Sequence, residues 1–539
     1  MKWKILPRKK DDLTEQLLIN RGIKSEKERE GFFHPNLENF EKELQIPGIP
    51  KAKKRIEKAI KYGELIIAYG DYDVDGICGA AVLYLGLTAM GAKVLPYIPH
   101  REKEGYGLSK QGLEFARDSG AGLVISTDTG IVAFEMAVFA KEIGLDLIIT
   151  DHHQTLDGKY PDCFAIVHST ELCGAAVAWT LIRDDKLLDL VAMATISDMM
   201  PLLEVNRALV KRGLEILNKQ SLLFSDEKSK PERVGLQALY EEAGITPGKI
   251  GSYEVGHIIA PRLNAMGRLE HAIDSLRLLC TKDREKARKL AKLVAETNDQ
   301  RKLLTQTAVD EAKLKVSGST KKIHVLSSTG WVPGIVGLVA GRVSEETKVP
   351  VIAISVGEIH SKGSARSANG INIVETIRKC SDILVAVGGH PGAAGFTIET
   401  TKIEVFRKRL EEIMDSEIVM DEGTLDIEAE VESSKINLRL VKDLEKFEPF
   451  GMENPKPTLA TKNMELSNLR TVGSGLPAGR HGKHLKGKAD NVDFIAFGMG
   501  EMADILGNGQ FVDMAYTLEI DKFDGTEKLQ LKVRDIKLT

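Results

Sequence analysis

Leu65-Ile66-Ile67-Ala68-Tyr69 runs straight into Gly70-Asp71-Tyr72-Asp73-Val74-Asp75-Gly76, and the pattern returns twice. Residues 123–126 (LVIS) run into Thr127-Asp128-Thr129-Gly130, and residues 145–150 (LDLIIT) into Asp151-His152-His153. A short apolar run closed by glycine and acids reads as a buried strand of a parallel sheet. Helix-prone stretches between the runs make the series βαβ. In such sheets ligand sites collect at the carboxyl ends of the strands. Three strand ends carrying Asp and His along one edge therefore point to a metal site.

Working outward, residues 51–62, 79–90, 108–118 and 132–143 read as helices and 94–98 as a further strand. Together they give one α/β domain over 46–225. Residues 1–45 read as small helices behind a basic start, with Lys2, Lys4, Arg8, Lys9 and Lys10 as an exposed tail. Residues 226–317 form a helical connector. Within it, 283–316 has few breakers and predicts one helix of roughly 50 Å at about 1.5 Å per residue, long enough to bridge two lobes. The alternative is two helices with a turn at Thr297-Asn298-Asp299. A second α/β lobe covers 318–420, with strands at 323–326 and 351–355 and Gly-rich turns at 361–364 and 388–392. Residues 421–539 change to short strands, such as 494–497 and 529–533, and suit a small barrel.

Composition bounds the function classes. A chain of 539 residues has room for about three or four domains. Lys plus Arg is 74 and Asp plus Glu 78, a formal net charge of −4. That argues against a protein coated in nucleic acid but leaves room for a local basic channel. The five cysteines are scattered with no C-x-x-C pair, which excludes a disulfide framework or a zinc ribbon. Buried thiols in a reducing cytoplasm are expected. MKWKILPRKK has no apolar core for a secretory signal, and no run of about 18 apolar residues predicts a membrane span.

Asp73 and Asp75 alternate after the first strand. Asp128 and His152 follow its neighbours, and Asp198 follows the apolar run 190–196. Carboxylates with an imidazole and no thiol suit Mn²⁺ or Mg²⁺ better than structural zinc. Such a set can hold two ions about 3.5–4 Å apart, activating water and clamping a phosphoryl group. Any one Asp alone reads more simply as a helix cap or a turn. The agreement of three strand ends decides for the metal.

The ordered motifs GDYDVDG, TDTG, DHH and Asp198 in ATISDMMPL resemble the DHH phosphoesterase superfamily. Arg101 with Gly105-Tyr106-Gly107, the stretch 261–268 (PRLNAMGR), the stretch 331–337 (WVPGIVG), KGSARS at 362–367, Gly389-His390, and EPFG with Asn454-Pro455 resemble its RecJ family. The resemblance runs in order from about residue 30 to the end. It implies two α/β lobes, a DHH domain and a DHH-associated domain, joined by a long helix and followed by an all-β OB-fold barrel. It further implies a metal-dependent exonuclease of DNA repair and recombination, degrading single-stranded DNA from the 5′ end to 5′-mononucleotides. Asp73, Asp75, Asp128, His152 and Asp198 would hold two ions, with Asp128 bridging, and His153 would steady the phosphate. Arg101, Tyr106, Arg262, Asn264, Arg268, Ser364, Arg366 and His390 would bind substrate. Single-stranded DNA is the expected partner of a cytoplasmic monomer, with a single-strand-binding protein and a helicase beside it.

The chain departs from the family pattern at Val332, His168, Thr129 and Tyr69, the last where some members carry a metal-binding His. These departures bear on metal affinity and turnover, not on the reaction class. KGSARS read alone is a solvated loop, and His390 a turn histidine. The basic run 470–488, with Arg480, His481, Lys483, His484, Lys486 and Lys488, is either a solvated face or a phosphodiester track on the barrel. Two rivals stand beside the main reading. A DHH phosphodiesterase of short RNA or cyclic dinucleotides needs neither the β module nor the bridging helix. A non-catalytic replication scaffold would have no need to keep every acid.

Overall fold

The computed structural model describes residues 2–101, 103–222, 233–417, 424–473, 482–521 and 527–539. The expected domain boundaries at 225 and 420, and the basic residues Arg480 and His481, lie outside them. The chain divides into two compact units. One comprises residues 40–200 and 208–421, the other 1–39, 201–207 and 422–539.

The larger unit begins with the five-stranded parallel sheet that the apolar runs predict. Its strands lie in the order Lys93–Tyr97, Leu65–Tyr69, Ala121–Thr127, Asp146–Asp151, Ala165–His168. Ile66, Ile67, Val124, Ile125, Ile148 and Ile149 are buried to 2% exposure or less. Near-continuous apolar strands are what a sheet covered on both faces requires. The helix Val74–Ala89 crosses one face, capped at its start by the Asp73 carboxylate, which accepts from the Asp75 and Gly76 amides.

Arg284–Val316 is one continuous helix of 33 residues, so the turn at Thr297-Asn298-Asp299 does not form. It packs on Val234–Ala243, Ala260–Leu269 and Ile273–Cys280, and farther along on Val336–Thr347 of the second lobe. That lobe has a mixed sheet ordered Leu384–His390, Ala393–Glu399, His360–Arg366, Val351–Ser355, His324–Ser328.

Here the reading of 361–364 as a turn is corrected, because it lies in the strand His360–Arg366; of 388–392, Gly388, Gly389 and His390 end a strand and Pro391-Gly392 form the hairpin turn. The glycine at 363 makes room for a neighbour across the sheet. A Cβ there would lie 2.1 Å from the Phe396 ring.

In the smaller unit, the expectation of small helices alone over 1–45 is also corrected. Lys2–Ile5 is a strand, paired parallel with Thr424–Ile427, and the helices Leu13–Asn20 and Glu26–Phe33 follow it. Trp3 Nε1 donates to Asp535 at 2.8 Å, and Arg21 pairs with Glu428 at 2.5 Å. Lys2 and Lys4 are exposed, but on a paired strand rather than a free tail. The barrel runs Leu459–Val472, His484–Ala489, Val492–Ala496, Lys528–Leu538, Phe511–Asp521 and closes back on the first of these. The short strand Ala429–Glu430 adds to the sheet beside the start of Leu459–Val472.

Candidate active site

The metal-type residues predicted from three strand ends meet at one sheet edge. His152 Nε2 lies 3.1 Å from Asp128 Oδ1, 3.6 Å from Asp75 Oδ2 and 3.7 Å from Asp198 Oδ2. Asp75 is anchored at the start of Gly174–Ile182, accepting from the Gly174 and Ala175 amides at 2.6 and 2.7 Å. Asp198 ends the helix Leu188–Ser197. Asp128 holds a left-handed backbone (φ 60°), and a Cβ on Gly174 would lie 2.5 Å from its own Cβ, so glycine is required there.

Three ligand groups interlock through Asp128 and His152. Asp75, His152 and Asp198 form one. Asp71, Asp73 and Asp128 form another, and Asp128 also groups with His152 and His153. Within each group the donor atoms lie within 4.8 Å of one another. Asp71 was missing from the expected ligands. It is 1% exposed, and its Oδ1 has no partner among the described residues. It sits inside the GDYDVDG motif, but three alternating acids do not say which of them face inward.

The electrostatics fit a cation site. Burial first, then mutual repulsion, pushes Asp71 and Asp128 well above the ordinary carboxylate range. Asp198 is pushed to about 8 by burial and by Asp75 and Asp73. Burial drives His152 down, toward the neutral form that a metal needs. Buried, mutually repelling carboxylates beside a neutral imidazole with an orphaned Nε2 are costly unless a cation joins them. The oxygen-and-nitrogen donor set suits Mn²⁺ or Mg²⁺.

His153 is held differently. Its Nδ1 is 2.8 Å from Asp151 Oδ1, and its Nε2 is 3.1 Å from the Tyr106 hydroxyl. Burial would lower its pKa, but the Asp151 carboxylate raises it to about 9, so the ring is cationic at neutral pH. Asp151 also accepts from the Ile131, His152 and His153 amides, which fixes the DHH turn. Sequence reasoning did not single out this role.

A cationic group adjoins the acids. Arg101 stacks on Tyr72 at 4.8 Å, and Tyr72 meets Tyr106 edge-on. Arg268 Nη1 donates to the Gly334 carbonyl at 3.0 Å, joining the lobes. Arg101 and Arg366 both act on Arg268, whose pKa burial lowers to about 10. A Cβ on Gly337 would lie 3.1 Å from Ser364 Oγ and 3.6 Å from Arg366 Nη2, so Ser364 and Arg366 sit at the start of the helix Val336–Thr347. Helix starts favour anions.

Two expected binding residues are placed otherwise. Asn264 Oδ1 accepts from the Val74 amide at 2.9 Å and so braces the acidic turn. His390 lies exposed beside the hairpin turn, its Nδ1 accepting from Gly392 N.

Residues 65–196 match the DHH family, N-terminal domain, 320–416 the DHHA1 domain, and 427–535 the RecJ OB domain. The single-stranded-DNA-specific exonuclease RecJ of Bacillus subtilis (strain 168) is 34% identical over 571 residues, covering 99% of this chain and 70% of that protein. The chain belongs to the RecJ family. Its counterpart from Thermus thermophilus is 33% identical, over 85% of this chain and 67% of that one. A crystal structure of Thermus thermophilus RecJ in complex with Mn²⁺ superposes with a TM-score of 0.84 at 27% identity, covering 100% of this chain and 80% of that chain. A Mg²⁺ complex of the same protein gives 0.79 at 26% identity, over 100% and 78%.

Two of the departures from the RecJ pattern find structural uses. The Tyr69 hydroxyl donates to the Gly107 carbonyl and so supports the loop carrying Tyr106. His168 Nε2 donates to the His153 carbonyl at 2.7 Å, stiffening the DHH turn.

Proposed function

We propose that this RecJ-family chain hydrolyses single-stranded DNA from the 5′ end to 5′-mononucleotides, with Mn²⁺ or Mg²⁺ held by Asp71, Asp73, Asp75, Asp128, His152 and Asp198. The carrying observation is the set of three ligand groups linked through Asp128 and His152, beside a pocket of arginines. When bound, the ions supply Lewis acidity toward a phosphoryl oxygen and a water acidified enough to attack.

The chain's own residues do the rest. His153, cationic and held by Asp151, faces the anionic phosphodiester. Tyr106 orients that ring through its other nitrogen. Arg101, Arg268, Arg366 and Ser364 take the 5′-terminal phosphate by charge-assisted hydrogen bonds. Asn264 keeps the turn bearing Asp73 and Asp75 in place.

The barrel would bind the single strand as well. Its exposed Phe497 has the His484 ring edge-on at 5.0 Å and the Lys532 ammonium at 5.5 Å, an aromatic face flanked by an imidazole and a cation. No helix among the described residues is long and apolar enough to cross a membrane, and the five thiols are free. A cytoplasmic monomer working with a single-strand-binding protein and a helicase is part of the same proposal.

The test is digestion of single-stranded DNA labelled at one end or the other, with Mn²⁺, Mg²⁺ or chelator. Mononucleotides should come from the 5′ end only, and only with metal. Loss of label from the 3′ end first, or digestion in chelator, would refute the reading.

A further inference from the structure

The bridging helix Arg284–Val316 turns one face inward along its length. Toward each end that face is apolar: Ala287, Ala291 and Val294 at one, Ala308, Val309 and Ala312 at the other. Between them, Asn298, Arg301 and Thr305 follow at helical spacing on the same face. Asn298 is 1% exposed and Thr305 2%, yet Asn298 Oδ1, Asn298 Nδ2 and Thr305 Oγ1 have no hydrogen-bond partner among the described residues. The Nε atoms of Arg301 and of nearby Arg262 are buried and unpaired in the same way. Each such group is costly to leave unpaired, and alanine or leucine would avoid that cost while favouring the helix. An inward face that turns polar only at mid-helix, with its polar atoms unsatisfied, is built for a polar ligand.

The charges name its sign. Arg301 has Arg342 and Arg262 as cationic neighbours. The nearby carboxylate, Asp299, is already bonded to Lys302 at 2.8 Å. Arg342 reaches Gln306 and Arg262 the Ile258 carbonyl, so neither is neutralised by these bonds. Arg268 links this group to the pocket described above, because Arg301 acts on it together with Arg101 and Arg366.

We infer that Asn298, Arg301 and Thr305, with Arg262 and Arg342, form a second anion subsite beside the terminal-phosphate pocket, taking one further nucleotide phosphate. The inference rests on the proposed function for the identity of the first pocket. That further phosphate has two possible sources: a polyphosphorylated 5′ end, or a released mononucleotide on its way out.

The experiment measures binding by the full chain in chelator, where no strand is cut. The probes are one oligodeoxynucleotide with a 5′-monophosphate or a 5′-triphosphate, and free 5′-dAMP as competitor. If the ligand is a polyphosphorylated end, the parent binds the triphosphate about tenfold more tightly than the monophosphate. Arg301→Gln then brings the ratio to about one, and Arg301→Lys retains most of it. If the ligand is the departing product, the ratio is one in the parent and 5′-dAMP competes about tenfold less well with Arg301→Gln. Asn298→Leu should weaken whichever response is seen while raising Tm, because it removes an unsatisfied amide; that rise separates loss of a ligand contact from loss of fold.

A parent with no triphosphate preference and a 5′-dAMP competition untouched by Arg301→Gln overturns the inference. Equal losses on both strands and on 5′-dAMP also overturn it, because they mark general support rather than a subsite. Failure to bind or digest any strand would instead sink the exonuclease reading, and direct binding of 5′-dAMP would still judge the subsite.

Discussion

At Asp128 the backbone conformation decides how the site should be probed. Its positive φ is tolerated by Asn better than by Ala, so Asp128→Asn removes the charge with the least strain. The carboxylate belongs to two ligand groups, and its loss should cut digestion at least a hundredfold, about 2.7 kcal/mol of barrier. The thermal shift that Mn²⁺ gives the parent should shrink as well. Activity within tenfold of the parent would remove Asp128 from the site. Asp198 adds a pH signature. With its carboxyl pushed to about 8, it is protonated at pH 7 and must ionise to bind metal, so Mn²⁺ binding expels a proton there. At pH 9 it is already ionised and contributes none. Calorimetry in two buffers of different ionisation enthalpy should therefore show a buffer-dependent heat at pH 7 that is smaller at pH 9; identical heats at pH 7 would contradict the assignment. Arg366→Ala should cost roughly ten- to a hundredfold on 5′-phosphorylated strands, the worth of a charged hydrogen bond of about 1.5–3 kcal/mol, and much less on 5′-hydroxyl strands. Equal losses on both would leave Arg366 no role at the end.

Between elements, one glycine contact welds the lobes. A Cβ on Gly334 would lie 2.1 Å from the Arg268 carbonyl oxygen, a backbone atom that cannot swing aside. Gly334→Ala should push Arg268 out of its pocket and weaken binding of 5′-phosphorylated strands about tenfold, while the Mn²⁺-induced thermal shift persists because the acids belong to the first lobe. Loss of the metal response would mean that the strain spreads through the sheet. The strands Leu65–Tyr69, Ala121–Thr127 and Asp146–Asp151 and the helix Arg284–Val316 were legible in the sequence because burial on both faces, or an unbroken helical run, writes itself into local periodicity. The strand His360–Arg366 was not, because the glycine that marks a turn locally is there for Phe396 across the sheet. Asp71 and Asp151 were hidden for a related reason. They lie inside motifs that were read, but which acid of a run turns inward is set by packing from other strands. Asn298 was noticed only as a possible break, and its burial depends on helices elsewhere in the chain.

At the scale of the whole chain, the strand Lys2–Ile5 shows why distant pairing escapes a linear reading: its partner is Thr424–Ile427. Truncating the chain before the barrel would strip Lys2–Ile5 and Trp3 of their partners, so a deletion would confound binding with misfolding. Point changes on the barrel surface avoid this. Phe497 is half exposed, with Lys532 over its ring, and a base stacked on such a platform is typically worth about 1–3 kcal/mol. Phe497→Ala should therefore weaken binding of a long single strand roughly ten- to a hundredfold at every salt concentration. Lys532→Ala should act through the phosphates instead, and flatten the dependence of log affinity on log salt by about 0.7. In both variants the rate at saturating strand should fall by less than the affinity, because neither residue belongs to the ligand groups of the acidic site. The two substitutions thus separate stacking from charge in one titration series at two salt concentrations. If Phe497→Ala leaves the affinity for a long strand unchanged while Lys532→Ala leaves the salt slope unchanged, this face of the barrel carries no DNA, and strand binding must be sought on another of its surfaces.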